Sequence, residues 1–73
     1  MRKASTKDFE KFLFYIGCTF ERQTDNHRIY KKDGMKRPVI VKIMRVLPEF
    51  IIKNNLRTLG ISRKEFEEIM DRV

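Results

Sequence analysis

His27 is the only histidine in the chain, and it stands inside the most basic stretch. Imidazole is the side chain whose ordinary pKa, ~6.5, suits proton transfer near neutrality. Cleavage of RNA needs little more than one such group. The 2′-hydroxyl attacks the neighbouring phosphorus once its proton is removed, and a positioned base or acid contributes roughly 10²–10⁴-fold. Cations close by stabilise the charge that develops on phosphorus. His27 also follows Thr24-Asp25-Asn26, a run of turn-forming residues that leaves it at the start of a strand. His27 is therefore the candidate catalytic residue.

Other chemistries have no matching residues. One His, one Cys and scattered acids give no metal-ligand spacing, so neither a metal nor another cofactor is expected. There is no Gly-rich phosphate loop, and no Ser-His-Asp arrangement can be assembled. Cys18 is the single cysteine, so no intramolecular disulfide can form, as suits a reducing compartment. It falls in an apolar run and reads as a small buried hydrophobe.

The charge distribution points to the partner. From Arg22 to Arg45 lie eight basic residues, Arg22, Arg28, Lys31, Lys32, Lys36, Arg37, Lys42 and Arg45, against Asp25 and Asp33. That is a net +6 out of +7 for the whole chain, whereas Ile61 to Val73 carries −1. Solubility alone does not require such concentration, and a polyanion bound by the middle of the chain does. Arg2 and Lys3 are basic, but Ser5 to Lys11 is polar where the apolar core of a secretory leader should follow. The longest apolar run, Phe12 to Cys18, is far shorter than the ~20 residues of a membrane span. A cytoplasmic protein with no membrane contact is expected.

The elements that must position His27 can be read along the chain, which has no repeat or linker and is expected to form a single domain over residues 1–73. Ser5 and Asp8 form a capping box, and Phe9, Phe12, Leu13 and Ile16 make the apolar stripe of a first helix that Gly17 ends. Strands are expected at Cys18–Gln23, with Cys18 and Phe20 on one face, at His27–Lys32, and at Arg37–Arg45. Asp33-Gly34 marks the hairpin between the last two. Pro48 suits the first turn of a second helix, whose stripe is Ile52, Leu56 and Leu59 and whose stop is Gly60. Ser62 with Glu65 starts a third, with Phe66, Ile69 and Met70 inward. The result is a two-layer α+β domain in α-β-β-β-α-α order, with the helices on one face of a small antiparallel sheet.

The hairpin register follows from the period of two along a strand. A three-residue loop, Asp33-Gly34-Met35, would pair Ile29 with Val39 and bury both with Val41 and Ile43. Arg28, Tyr30, Lys32 and Lys42 would then lie on the open face, and His27 at its rim with the parity of the buried side. Arg28, Lys32, Lys42 and Arg22 are accordingly the expected phosphate contacts, and Tyr30 a stacking platform for a base.

These residues resemble the HicA family of toxin–antitoxin ribonucleases over nearly the whole chain, from Ser5 to about Met70. A helix ends in Gly17, followed by Phe20 and Arg22-Gln23. Asn26-His27-Arg28-Ile29-Tyr30 looks like the family's Gly-Ser-His-His-Ile-Tyr segment, with Asp25-Asn26 in place of its Gly-Ser. Leu56-Arg57-Thr58-Leu59-Gly60-Ile61-Ser62, then Glu65-Phe66, is similar to its Leu-Arg-x-x-Gly-Ile-Ser and Glu-Phe ending. The resemblance implies a fold like that of a double-stranded-RNA-binding domain. It further implies cleavage of messenger RNA, a catalytic histidine at His27, and neutralisation by a HicB-type acidic antitoxin. Two alternatives use the same residues. One is a module of this fold that binds RNA without cutting it. The other is a helix-turn-helix DNA binder read through the Leu59–Ser62 turn, which the acidic last helix opposes.

Overall fold

The computed structural model describes residues 4–73. The observed elements are α1 (Thr6–Tyr15), β1 (Thr19–Gln23), β2 (His27–Lys31), β3 (Val39–Lys42), α2 (Glu49–Leu59) and α3 (Arg63–Met70). The three strands form one antiparallel sheet in the order β1-β2-β3, with β2 in the centre. The α-β-β-β-α-α order is the expected one, and it is consistent with a double-stranded-RNA-binding-domain-like fold.

The helices form where local signals put them. Ser5 Oγ accepts from Asp8 N–H at 3.1 Å while Asp8 Oδ2 accepts from Ser5 N–H at 3.1 Å, so two orphan donors of α1 are satisfied reciprocally. Hydrogen bonding from Ser5 holds the Asp8 carboxyl below its ordinary range. α2 begins just after Pro48 and ends at Gly60, whose φ of 72° is left-handed and favours a residue without Cβ. Ser62 Oγ caps α3 by accepting from Glu65 N–H at 3.1 Å. Phe9, Phe12 and Leu13 of α1, Ile52 and Leu56 of α2, and Phe66, Ile69 and Met70 of α3 are buried, as their spacing predicts. Phe66 meets Phe12 edge-on at 4.8 Å and Phe9 at 5.8 Å, which welds α3 to α1 through an aromatic triad.

The sheet differs from the sequence reading in ways that matter for function. β3 covers Val39–Lys42 rather than Arg37–Arg45. Pro38 has no N–H to give a ladder and restrains Arg37, so pairing begins only after it. The connection consequently runs from Lys32 to Pro38, with Met35 N–H closing a turn on Lys32 C=O at 3.1 Å. The register is shifted by one residue: Tyr30 pairs with Val39, Ile29 with Ile40, Arg28 with Val41 and His27 with Lys42. A one-residue slip moves every side chain of a strand to the other face. Tyr30 therefore shares the helix-covered face with Val39 and Val41, all three fully buried in the core, while Ile29, buried as expected, and exposed Ile40 turn to the other side. Ile43 lies beyond the strand and is exposed.

β1 also begins one residue later than expected, at Thr19, and every residue of it is exposed. An irregularity between Phe20 and Arg22 resets its pairing with β2, so that Phe20 faces Tyr30 and Arg22 faces Ile29. Cys18 is buried in the core, and burial raises its thiol pKa. The start of α1 is tied to the end of β3. Thr6 Oγ1 donates to Lys42 C=O at 2.6 Å and accepts from Met44 N–H at 2.7 Å, and Thr6 N–H donates to Met44 C=O at 3.0 Å.

Candidate functional site

His27 is the first residue of β2, and the backbone around it is fixed from both sides. Thr24 N–H donates to His27 C=O at 2.8 Å and closes the turn that precedes the strand. Ile43 N–H donates to Asn26 C=O at 2.8 Å and extends the β2–β3 ladder past its last assigned pair. The imidazole is half-buried and lies across from Lys42. Because of the register, it points to the face that no helix covers, not to the helix-covered side that parity had suggested. Ile29, Lys31, Ile40 and Lys42 share that face, and β1 adds Arg22 through its pairing with Ile29. Arg22, Lys31 and Lys42 are exposed, and Arg22 is paired only with its neighbour Glu21, at 2.7 Å. Among the described residues the imidazole takes no hydrogen bond or ion pair, so its ring nitrogens are open to a bound molecule.

The remaining predicted contacts are elsewhere. Tyr30 is fully buried, so its ring offers no surface for stacking, and the expected open-face position is corrected. Arg28 lies on the helix side as well, where a cluster holds it. Its Nε donates to Glu10 Oε2 at 2.9 Å and to Tyr30 Oη at 3.0 Å, Nη2 lies 2.7 Å from the same Glu10 oxygen, and Nη1 donates to Gln23 Oε1 at 2.6 Å. Its guanidinium rests over the Phe20 ring at 4.3 Å. The Tyr30 hydroxyl also donates to Glu10 Oε2. Burial and that bond push the Tyr30 hydroxyl up to about 12, and hydrogen bonding to Tyr30 and Glu10 raises Arg28. Lys32 lies beyond the end of β2, half-buried beside Gly17. Of the six predicted site residues, the structure brings His27, Arg22 and Lys42 to one face, takes Arg28 and Tyr30 to the other, and leaves Lys32 beyond the end of the strand.

Sequence reasoning missed Lys31 as a member of the His27 face and Glu10 as the anchor of Arg28. Lys31 follows from the register alone. Glu10 sits next to the inward Phe9 on α1 and carries no local sign of its role, since its partners are 18 and 20 residues away. A groove of about 300 Å3 lies between the start of α1 and this end of the sheet, lined by Thr6, Lys7, Glu10, Arg28 and Ile43. Among the described residues no three of His, Cys, Asp and Glu come together as a metal site, and no helix is long and apolar enough to cross a membrane.

Fold and site together define a small α+β domain with one open, cationic sheet face built around a single imidazole. The comparison with known families agrees: residues 6–61 match the model of the HicA toxin of bacterial toxin–antitoxin systems. The match spans most of the chain, and the protein belongs to the HicA toxin family. It is thus the toxin of a toxin–antitoxin pair. No curated protein and no solved structure matches the chain.

Proposed function

We propose that this toxin is an endoribonuclease that cleaves messenger RNA in the cytoplasm, with His27 as its catalytic residue and without a metal ion. A HicB-type acidic antitoxin holds it inactive. The observation that carries the reading is the pairing of His27 with Lys42 at the end of an uncovered sheet face that also presents Arg22 and Lys31.

The steps follow from that arrangement. A phosphodiester laid across the open face meets Arg22, Lys31 and Lys42, whose charges hold the backbone. His27 accepts the proton of the 2′-hydroxyl, the 2′-oxygen attacks phosphorus, and the P–O5′ bond breaks; the leaving 5′-oxygen takes a proton from water, and the imidazolium returns its own to solvent. Lys42 stands opposite His27, where it can stabilise the added negative charge on phosphorus. The products are a 2′,3′-cyclic phosphate and a 5′-hydroxyl. The antitoxin follows from the family and from charge: an acidic partner covering this face would block the phosphate contacts and the imidazole at once.

The same face would hold RNA without cutting it. One feature favours that second reading: among the described residues, no hydrogen bond or ion pair ties the His27 imidazole to a carboxylate. Incubation of the purified chain with single-stranded RNA in EDTA separates the two. Cleavage with cyclic-phosphate ends supports the nuclease, and intact RNA bound in a salt-sensitive complex supports the binding module.

A further inference from the structure

We propose that the groove between the start of α1 and the end of the β2–β3 hairpin is a nucleobase pocket. It would seat the base beside the phosphodiester at His27 and select bases that carry an exocyclic amino group. The proposal rests on the RNA reading above and adds to it a subsite on the opposite side of the sheet end.

Position comes first. The groove is about 300 Å3, and Thr6, Lys7, Glu10, Arg28 and Ile43 line it. Arg28 follows His27 in β2, and Ile43 is joined through its N–H to Asn26 C=O, the residue before His27. Thr6 bonds the carbonyl of Lys42, which pairs with His27. The groove and the imidazole thus lie on opposite sides of the same strand end. An RNA chain crossing the open face at His27 reaches the groove by turning around that end.

The lining then decides what enters. Nε, Nη1 and Nη2 of Arg28 are all engaged in hydrogen bonds, so its in-plane donors are largely committed. One side of the guanidinium rests on Phe20. The Tyr30 ring lies 5.9 Å from it, and the part of the guanidinium that remains exposed is a flat surface on which a base can stack. All the bonds that Glu10 receives from Arg28 and Tyr30 fall on Oε2. Oε1 takes none of these, and it is an acceptor for an amino group of adenine, cytosine or guanine. Uracil has a carbonyl oxygen where cytosine has its amino group and only a ring N–H to donate, so it is disfavoured. A phosphate would meet the Glu10 carboxylate, so the groove suits a base, while exposed Lys7 at its edge suits the adjoining backbone.

The full-length His27→Ala variant allows binding to be measured without cleavage. The probes are four pentaribonucleotides, UUNUU, with N as A, C, G or U. Nitrogen-15 NMR titration follows the Arg28 Nε–H and Lys7 signals. The A, C and G pentamers are expected to bind roughly tenfold tighter than the U pentamer and to shift both signals. Adding Glu10→Gln keeps an oxygen for Tyr30 and Arg28 but removes the carboxylate, and should erase the preference. Should that double variant fail to fold, the Arg28 Nε–H shift in the parent still decides. Equal affinity for all four pentamers, or a preference that Glu10→Gln leaves unchanged, overturns the pocket. RNA cleavage by wild type alongside base-indifferent binding defeats the pocket alone. Base-selective binding without any cleavage by wild type defeats the nuclease and leaves the pocket standing.

Discussion

Replacing Arg28 by alanine should cost fold stability while leaving the salt dependence of RNA binding almost unchanged. The side chains of Arg28 and Glu10 are only 28% and 20% exposed, so the pair is shielded enough for its bonds to count. A hydrogen bond to a charged group contributes ~1.5–3 kcal/mol net, and the stack on Phe20 adds ~0.5–1 kcal/mol. Partial exposure favours the lower part of those ranges, giving a loss of roughly 2–3 kcal/mol. Domains of this length have ~4–11 kcal/mol in all, so the variant folds but melts roughly 10–20 °C lower. Because Glu10 already neutralises Arg28, removing it should release no phosphate contact. Thermal unfolding by circular dichroism, with RNA affinity measured across a salt series, gives both quantities. A melting temperature within ~2 °C of wild type, joined to a salt slope reduced by about one, would refute this register and return Arg28 to the open face.

Lys42→Ala should do the reverse: the salt slope falls by about one and the melting temperature holds, because Lys42 is exposed and has only solvent to lose. Tyr30 should ionise at about 12. Its folded value lies above the ~10 of an unfolded tyrosine, so its contribution to stability is complete below that pH and is lost as pH rises toward 12. Tyr30→Phe should remove the last step of the phenolate absorbance titration and that alkaline loss. Co-expression with the product of the adjacent gene should give a stable complex whose association slows as salt increases. Recovery of the chain alone, with no growth defect and no partner, would count against it.

Where structure is decided locally, it was legible. The Ser5–Asp8 box, the Gly17 and Gly60 stops and the apolar stripes of three helices depend on residues within a turn or two, and all appear where their spacing puts them. The element order and the two-layer class follow from those. The hairpin register was not legible because it turns on a choice between Ile29 and Tyr30, both buried, for the helix-covered face. On hydropathy Ile29 is the better candidate. Tyr30 fills that place because Glu10, 20 residues earlier, accepts from its hydroxyl, and because Pro38 delays the third strand. Neither cause is visible within the hairpin itself.

The candidate site was legible to a similar extent in its geometry. His27 and Lys42 could be named from residue type and charge, and the structure pairs them. Arg28 and Tyr30 carried the same signals, basic and aromatic within the cationic stretch, yet the shifted register takes them to the helix side. A basic residue near an imidazole in sequence is therefore weak evidence of shared purpose on a strand, where neighbours alternate in direction.

In the function proposed above, one imidazole on an open cationic face cuts RNA. That step is tested most directly by comparing wild type with His27→Ala for cleavage and for binding of the same single-stranded RNA in EDTA. Loss of cleavage by the factor expected of an acid–base group, roughly 10²-fold or more, with RNA affinity and melting temperature close to wild type, is the predicted result. A His27→Ala protein that cuts as fast as wild type would contradict it.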